Sequence, residues 1–176
     1  MFQTLIASAT VGAGGAANID FNSIPQTYTD LTLVVSARMS TNYFADNFGI
    51  RFNGTTSTYS ERTLRAIPAV SSASYTGQTY IFQTAATGAT ATASTFGNTI
   101  ITIPNYTGAT NKTVSIEAVS ENNGTNNYMY LTAGLWSSTS AITSISLVGY
   151  GAPTFQEYST AYLYGTLKGS GGATVS

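Results

Sequence analysis

The chain has 176 residues, and its 6 Lys+Arg and 7 Asp+Glu leave only 7% of it charged, where an ordinary globular domain carries about 25%. Thr and Ser, 30 and 20 residues, supply the polarity instead, and 43% hydrophobic with 12% aromatic residues is too apolar for a disordered chain. The absence of His and Cys excludes Ser–His and Cys–His nucleophile systems, disulfides and structural zinc, while a net charge of −1 gives no basic field for nucleic acid.

In chain order, Phe2 to Ala9 reads as a first strand. Its Ala7-Ser8-Ala9 triplet has the shape of a cleavage site, but the apolar run before it is only a few residues long and no basic region precedes it, so no leader is expected. No apolar stretch approaches the roughly 18 residues that cross a bilayer as a helix, and a membrane is not an expected partner. Gly12 to Gly15 lacks the Lys of a phosphate loop and reads as a turn. Strands are expected at Ala17 to Phe21 and from Leu31, where Leu31, Leu33, Val35 and Ala37 share one face, and again at Phe48 to Phe52.

The Thr55 to Ser74 stretch holds Glu61, Arg62 and Arg65 and is expected to be a long loop with room for a short helical turn. A strand follows at Tyr75 to Thr84, then a low-complexity run from Ala85 to Thr95 that reads as an exposed edge or flexible loop. Asn98 to Ile103 is the next strand, followed by one in which Val114, Ile116 and Ala118 oppose Thr113, Ser115 and Glu117. Met129, Leu131, Ala133 and Leu135 then alternate with Tyr128, Tyr130, Thr132 and Trp136, and Ile145 and Leu147 with Ser144 and Ser146. Ser159 to Leu167 is the last of about ten strands; no internal repeat and no capped helical stripe appears. Asn53-Gly54 and Asn123-Gly124 accept positive φ, and Pro25, Pro68, Pro104 and Pro153 fall between the apolar runs. Together these predict an antiparallel all-β single domain over residues 1–168, with a flexible Gly/Ser-rich tail at 169–176.

Candidate chemistry is sparse. The carboxylates Asp20, Asp30, Asp46, Glu61, Glu117, Glu121 and Glu157 contain no motif that singles out the pair a glycosidase needs. Asp46-Asn47 and Glu121-Asn122-Asn123 have the donors of a calcium site without the alternating spacing of an EF-hand, and read as turns. Asn-x-Ser/Thr sequons at Asn53, Asn105, Asn111 and Asn123 are the number that this Asn and Ser/Thr content gives by chance. No enzyme activity, catalytic residue, metal or cofactor is expected. Tyr128, Tyr130, Trp136, Tyr162 and Tyr164 read as core filling; in the opposite register, with the Met129 and Leu131 face inside, they become a face for a partner. A hydroxyl-rich surface with so few charges defends sheet edges poorly and has the composition of surface that is buried on assembly, so a homo-oligomer is expected.

Four segments carry a resemblance: Ile24-Pro25-Gln26-Thr27-Tyr28-Thr29-Asp30-Leu31, Ile103-Pro104-Asn105-Tyr106-Thr107-Gly108, Leu131-Thr132-Ala133-Gly134-Leu135-Trp136, and Phe155 to Gly165. They resemble segments of small virion proteins of tailed phages, especially aquatic and cyanobacterial ones. The resemblance implies a β-sandwich of jelly-roll type at the virion surface, partnered by the major capsid protein or other virion proteins. A domain beginning at Met1, without heptads or a shaft repeat, favours a capsid decoration (cement) protein. The alternative is a tail or fibre component that presents Tyr128, Tyr130 or Trp136 to a host glycan. The matching segments bring no site residues with them.

Overall fold

A computed structural model describes residues 3–67, 69–124 and 127–167. They form thirteen strands: β1 (Gln3–Thr10), β2 (Asn18–Phe21), β3 (Asp30–Ala37), β4 (Ala45–Asp46), β5 (Phe48–Phe52), β6 (Tyr59–Ile67), β7 (Ala69–Gln78), β8 (Ala86–Thr87), β9 (Gly97–Ile103), β10 (Lys112–Ser120), β11 (Tyr128–Trp136), β12 (Ile145–Gly149) and β13 (Thr160–Thr166). Among the described residues there is no helix. Eight strands make one antiparallel sheet in the order β1-β13-β3-β9-β10-β11-β6-β7, while β2-β12-β5 and β4-β8 form sheets of three and two. The all-β, antiparallel expectation holds, with the smaller sheets covering one face of the large one. The layers are those of a sandwich, and their unequal strand numbers do not by themselves establish the jelly-roll type that the resemblance implies.

The period-two pattern decides which face is covered. Leu31, Leu33 and Val35 of β3, Ile101 and Ile103 of β9, and Val114 and Ile116 of β10 point inward. They meet Ile19 and Phe21 of β2, Phe48, Ile50 and Phe52 of β5, and Ile145 and Leu147 of β12 in one continuous core. The rings of Phe52 and Trp136, 5.6 Å apart, join the two layers. Each such side chain contributes about 1.5–3 kcal/mol by burial, and with no disulfide to help, that core is the main source of stability. Tyr59, also fully buried, places its hydroxyl 2.8 Å from the Phe52 amide, which donates to it.

Three local expectations are corrected. Thr55 to Ser74 is not a loop with a helical turn: most of it is the β6–β7 hairpin, paired from Tyr59 to Ile67. The signal was hidden because the inward set of β6 includes Glu61, Thr63 and Arg65, so its alternation is not hydrophobic. The strand expected at Tyr75 to Thr84 exists only as the end of β7; of the stretch beyond it, residues 81–84 are buried irregular chain. Ala85 to Thr95 is neither an edge nor fully exposed, since residues 85–88 are buried and Ala86 and Thr87 form β8. A Cβ at Gly97 would lie 2.7 Å from the Ala85 carbonyl oxygen, so the small residues there permit a close backbone approach. The remainder of the run is held by Arg38, whose guanidinium donates to the carbonyls of Ala89 (3.2 Å), Ala91 (3.1 Å), Thr92 (3.0 Å) and Thr95 (3.0 Å).

Turn chemistry follows the sequence: Asn53 (φ 51°) and Gly54 (φ 66°) are both left-handed, as is Asn123 (φ 60°). Both outer strands of the large sheet depart from regular pairing, at Leu5/Ala7 on β1 and at Tyr59/Glu61 opposite the end of β7, where Gly77 has φ 64°. Lys112 is buried, and its ammonium donates to the carbonyls of Gly108 (2.7 Å) and Thr110 (2.5 Å). Pro68, Lys168 and the 169–176 tail lie outside the described residues.

Candidate interaction surface

The small sheets cover one face of the large sheet, and the other face is open. Because every pair in it is antiparallel, the registers align outward side chains into rows across the strands. One row runs Ser8, Tyr162, Val34, Ile100, Glu117, Leu131, Leu64, Ser72 through all eight strands. The row on one side holds Leu5, Tyr164, Thr32, Thr102, Ser115, Ala133, Arg62 and Ser74; the row on the other ends in Val119, Met129, Ala66 and Val70. Arg62 and Glu117 are the charged members of these rows. An antiparallel sheet facing water normally reads polar on that side. Here Leu64 (52%), Met129 (59%), Leu131 (55%) and Val70 (76%) are exposed. They line a concavity of about 370 Å³ spanning β9 to β7, with Ile100 and Val119 on its far side and Glu117 at its margin. A contiguous apolar surface of this kind marks an interaction site.

Of the five aromatic residues expected to fill the core, two do, and Tyr128, Tyr162 and Tyr164 are only half-buried. Trp136 and Tyr130 are buried, and burial pushes the Tyr130 phenol up to about 12. Tyr128 is half-buried, with its ring 5.6 Å from those of Phe44 and Tyr130. Neither Tyr130 nor Trp136 can stack on a sugar, so the glycan face expected on β11 is not formed by these side chains. Tyr162 and Tyr164 are half-buried on the open face. An aromatic group that sequence reasoning missed lies elsewhere: Tyr80, Phe82 and Tyr150 have ring centroids 5.1–6.1 Å apart, and the Arg51 guanidinium sits 5.0 Å from the Tyr80 ring. Tyr150 comes from a segment far from Tyr80 and Phe82, so no spacing announces the group.

The carboxylates do not converge. Among the described residues no three of Asp and Glu form a metal-binding group. Asp46 accepts from the Thr41 hydroxyl and from the Asn47 amide (2.7 Å), and burial raises its pKa. Glu121 accepts from the Asn123 amide (2.6 Å) and the Asn127 side chain (3.1 Å). These are turn roles. Asn53, one of the sequons, donates from its amide to Ala141 (2.8 Å) and accepts from the Thr143 and Ser144 amides (2.8 and 3.1 Å), so it ties two loops together.

Glu61 is different. It points from β6 into the interior, where Oε2 accepts from the amides of Phe82 (3.0 Å) and Gln83 (3.3 Å) while Oε1 has no partner. Burial pushes its pKa up to about 7, against the opposing pull of the two amides. Glu61 borders a concavity of about 380 Å³ with Arg62, Tyr75 and Leu135, and no second carboxylate lines it.

What the sequence missed on the open face is the contribution of β6 and β7. With that segment read as a loop, Leu64 and Val70 had no face, and Met129 and Leu131 formed only an isolated stripe. No family model, no curated protein and no solved structure matches the chain.

Proposed function

We propose that this chain is a non-enzymatic structural protein of a tailed-phage particle, a capsid decoration protein that binds the outer capsid surface and stabilises it. The observation that carries the reading is the open face of the eight-stranded sheet, with its exposed leucines, methionine and valines and only Arg62 and Glu117 charged in its central rows. Such a surface is costly to keep in water and has the charge-poor composition of interfaces that stay buried. The resemblance of four segments to phage virion proteins supplies the kind of particle. Quantifying the chain in purified particles tests it: on the order of hundreds of copies, arranged with capsid symmetry, is the expected result. A few copies confined to the tail, or none, would contradict it.

A second reading, a tail or fibre module that binds host glycans, is favoured by the Tyr80–Phe82–Tyr150 group beside Arg51. Tyr150 is 48% exposed and offers a ring face for stacking. In this reading, binding on a host-glycan array disappears with Tyr150→Ala and survives Leu131→Ala. An array that is silent for the unaltered protein removes this reading.

A further inference from the structure

We propose that the open face of the eight-stranded sheet is the interface of a two-fold dimer, in which a second copy of this chain packs face to face and Arg62 of each copy pairs with Glu117 of the other. The inference rests on the structural-protein reading above, in which assembly buries the open face, and makes a second copy rather than the capsid the partner on that face.

The first consideration is size. The eight strands are seven to ten residues long. With about 4.8 Å between strands and 3.3 Å per residue, the whole face measures roughly 34 Å by 25 Å, or about 850 Å²; an axis through β11, the sixth strand, leaves β1 and β13 outside and brings a little over half of it into contact, the size of a small, reversible interface rather than of the ~800 Å² per partner standard.

The second is charge placement. Glu117 lies opposite Leu131, and Leu131 opposite Leu64. Arg62 lies opposite Ala133, two strands and two residues away from Glu117, which places the two Cα atoms about 12 Å apart. The midpoint of that diagonal falls on β11 between Leu131 and Ala133. A two-fold axis lying in the face, through that midpoint and perpendicular to the diagonal, sets each Arg62 over the other copy's Glu117. The same axis brings Leu131 and Leu64 of both copies together at the centre. The result is an apolar centre flanked by two symmetry-related ion pairs, and an isologous contact requires such self-complementarity.

The experiment is sedimentation or light scattering on the full chain with charge-swap variants. The unaltered protein is expected at twice the 18.4 kDa chain mass. Leu131→Arg gives a monomer with an unchanged far-UV spectrum. Arg62→Glu and Glu117→Arg each weaken dimerisation by about tenfold or more, and the double variant R62E/E117R recovers to within about threefold. If Leu131→Arg does not fold, the charge-swap series decides, since both of those side chains face solvent in the single chain. A monomeric unaltered protein, a trimer or larger ring, a dimer that survives Leu131→Arg, or a double variant no better than the singles overturns the proposal. Failure here leaves particle copy number unaffected, so the two readings fail separately.

Discussion

At the residue scale, Glu61 makes a pH dependence that runs against the usual acidic side chain. A carboxyl whose pKa rises from 4.5 to about 7 on folding binds a proton more readily in the folded chain than in the unfolded one. The folded state is therefore penalised as pH climbs from 4.5 to 7; the penalty is absent below that window and constant above it. Its full size is about 3 kcal/mol. Glu61→Gln keeps an acceptor for the Phe82 and Gln83 amides and removes the ionisation. Urea unfolding should find this variant more stable than the unaltered protein at pH 8, by a few kcal/mol at most, with the gain shrinking towards pH 4. A difference that does not vary with pH would show that the Glu61 carboxyl titrates alike in the folded and unfolded chains. Asp46, also raised by burial, adds a dependence of the same sign that the variant leaves in place.

At the element scale, the part of the low-complexity run beyond β8, from Ala89 to Thr95, is held largely by one side chain. Arg38 follows the end of β3, and its four carbonyl acceptors lie between Ala89 and Thr95. Arg38→Ala should cost about 2 kcal/mol, because hydrogen bonds from a charged donor contribute more than neutral ones. Amide hydrogen exchange should rise across Ala89 to Thr95 and stay unchanged in β10 and β11; uniform exchange would contradict that local role. The same element explains what the sequence hid. Low complexity reads as disorder because Ala, Gly and Thr lack a large apolar side chain, yet the absence of bulk lets the backbone pack closely at Gly97. Strands such as β3, β10 and β11 were legible because their inward sets are mostly apolar. In β6 the inward set includes a carboxylate, a hydroxyl and a guanidinium, and only pairing with β11 makes it a strand. The candidate surface was half legible for that reason. The stripe on β11 stood in the sequence, but its meaning as part of a face needed β6 and β7 beside it.

At the scale of the whole molecule, few charges and two unequal layers belong together. Three strands and two cannot cover both sides of an eight-stranded sheet, and the chain fills the uncovered side with apolar and hydroxyl side chains rather than charges. The particle and dimer experiments both bear on the open face, one through copy number and the other through self-association, and the glycan experiment on the Tyr80–Tyr150 corner.

The irregular pairing at both outer strands bears on how far such assembly can grow. A sheet that added copies at its edges would lengthen without limit, since each addition leaves a fresh edge. The bulge on β1 and the one where β6 meets the left-handed Gly77 of β7 disturb the ladder that the next copy would have to continue. Face-to-face association, by contrast, uses up the surface that drives it. The geometry thus separates a contact that terminates from one that propagates.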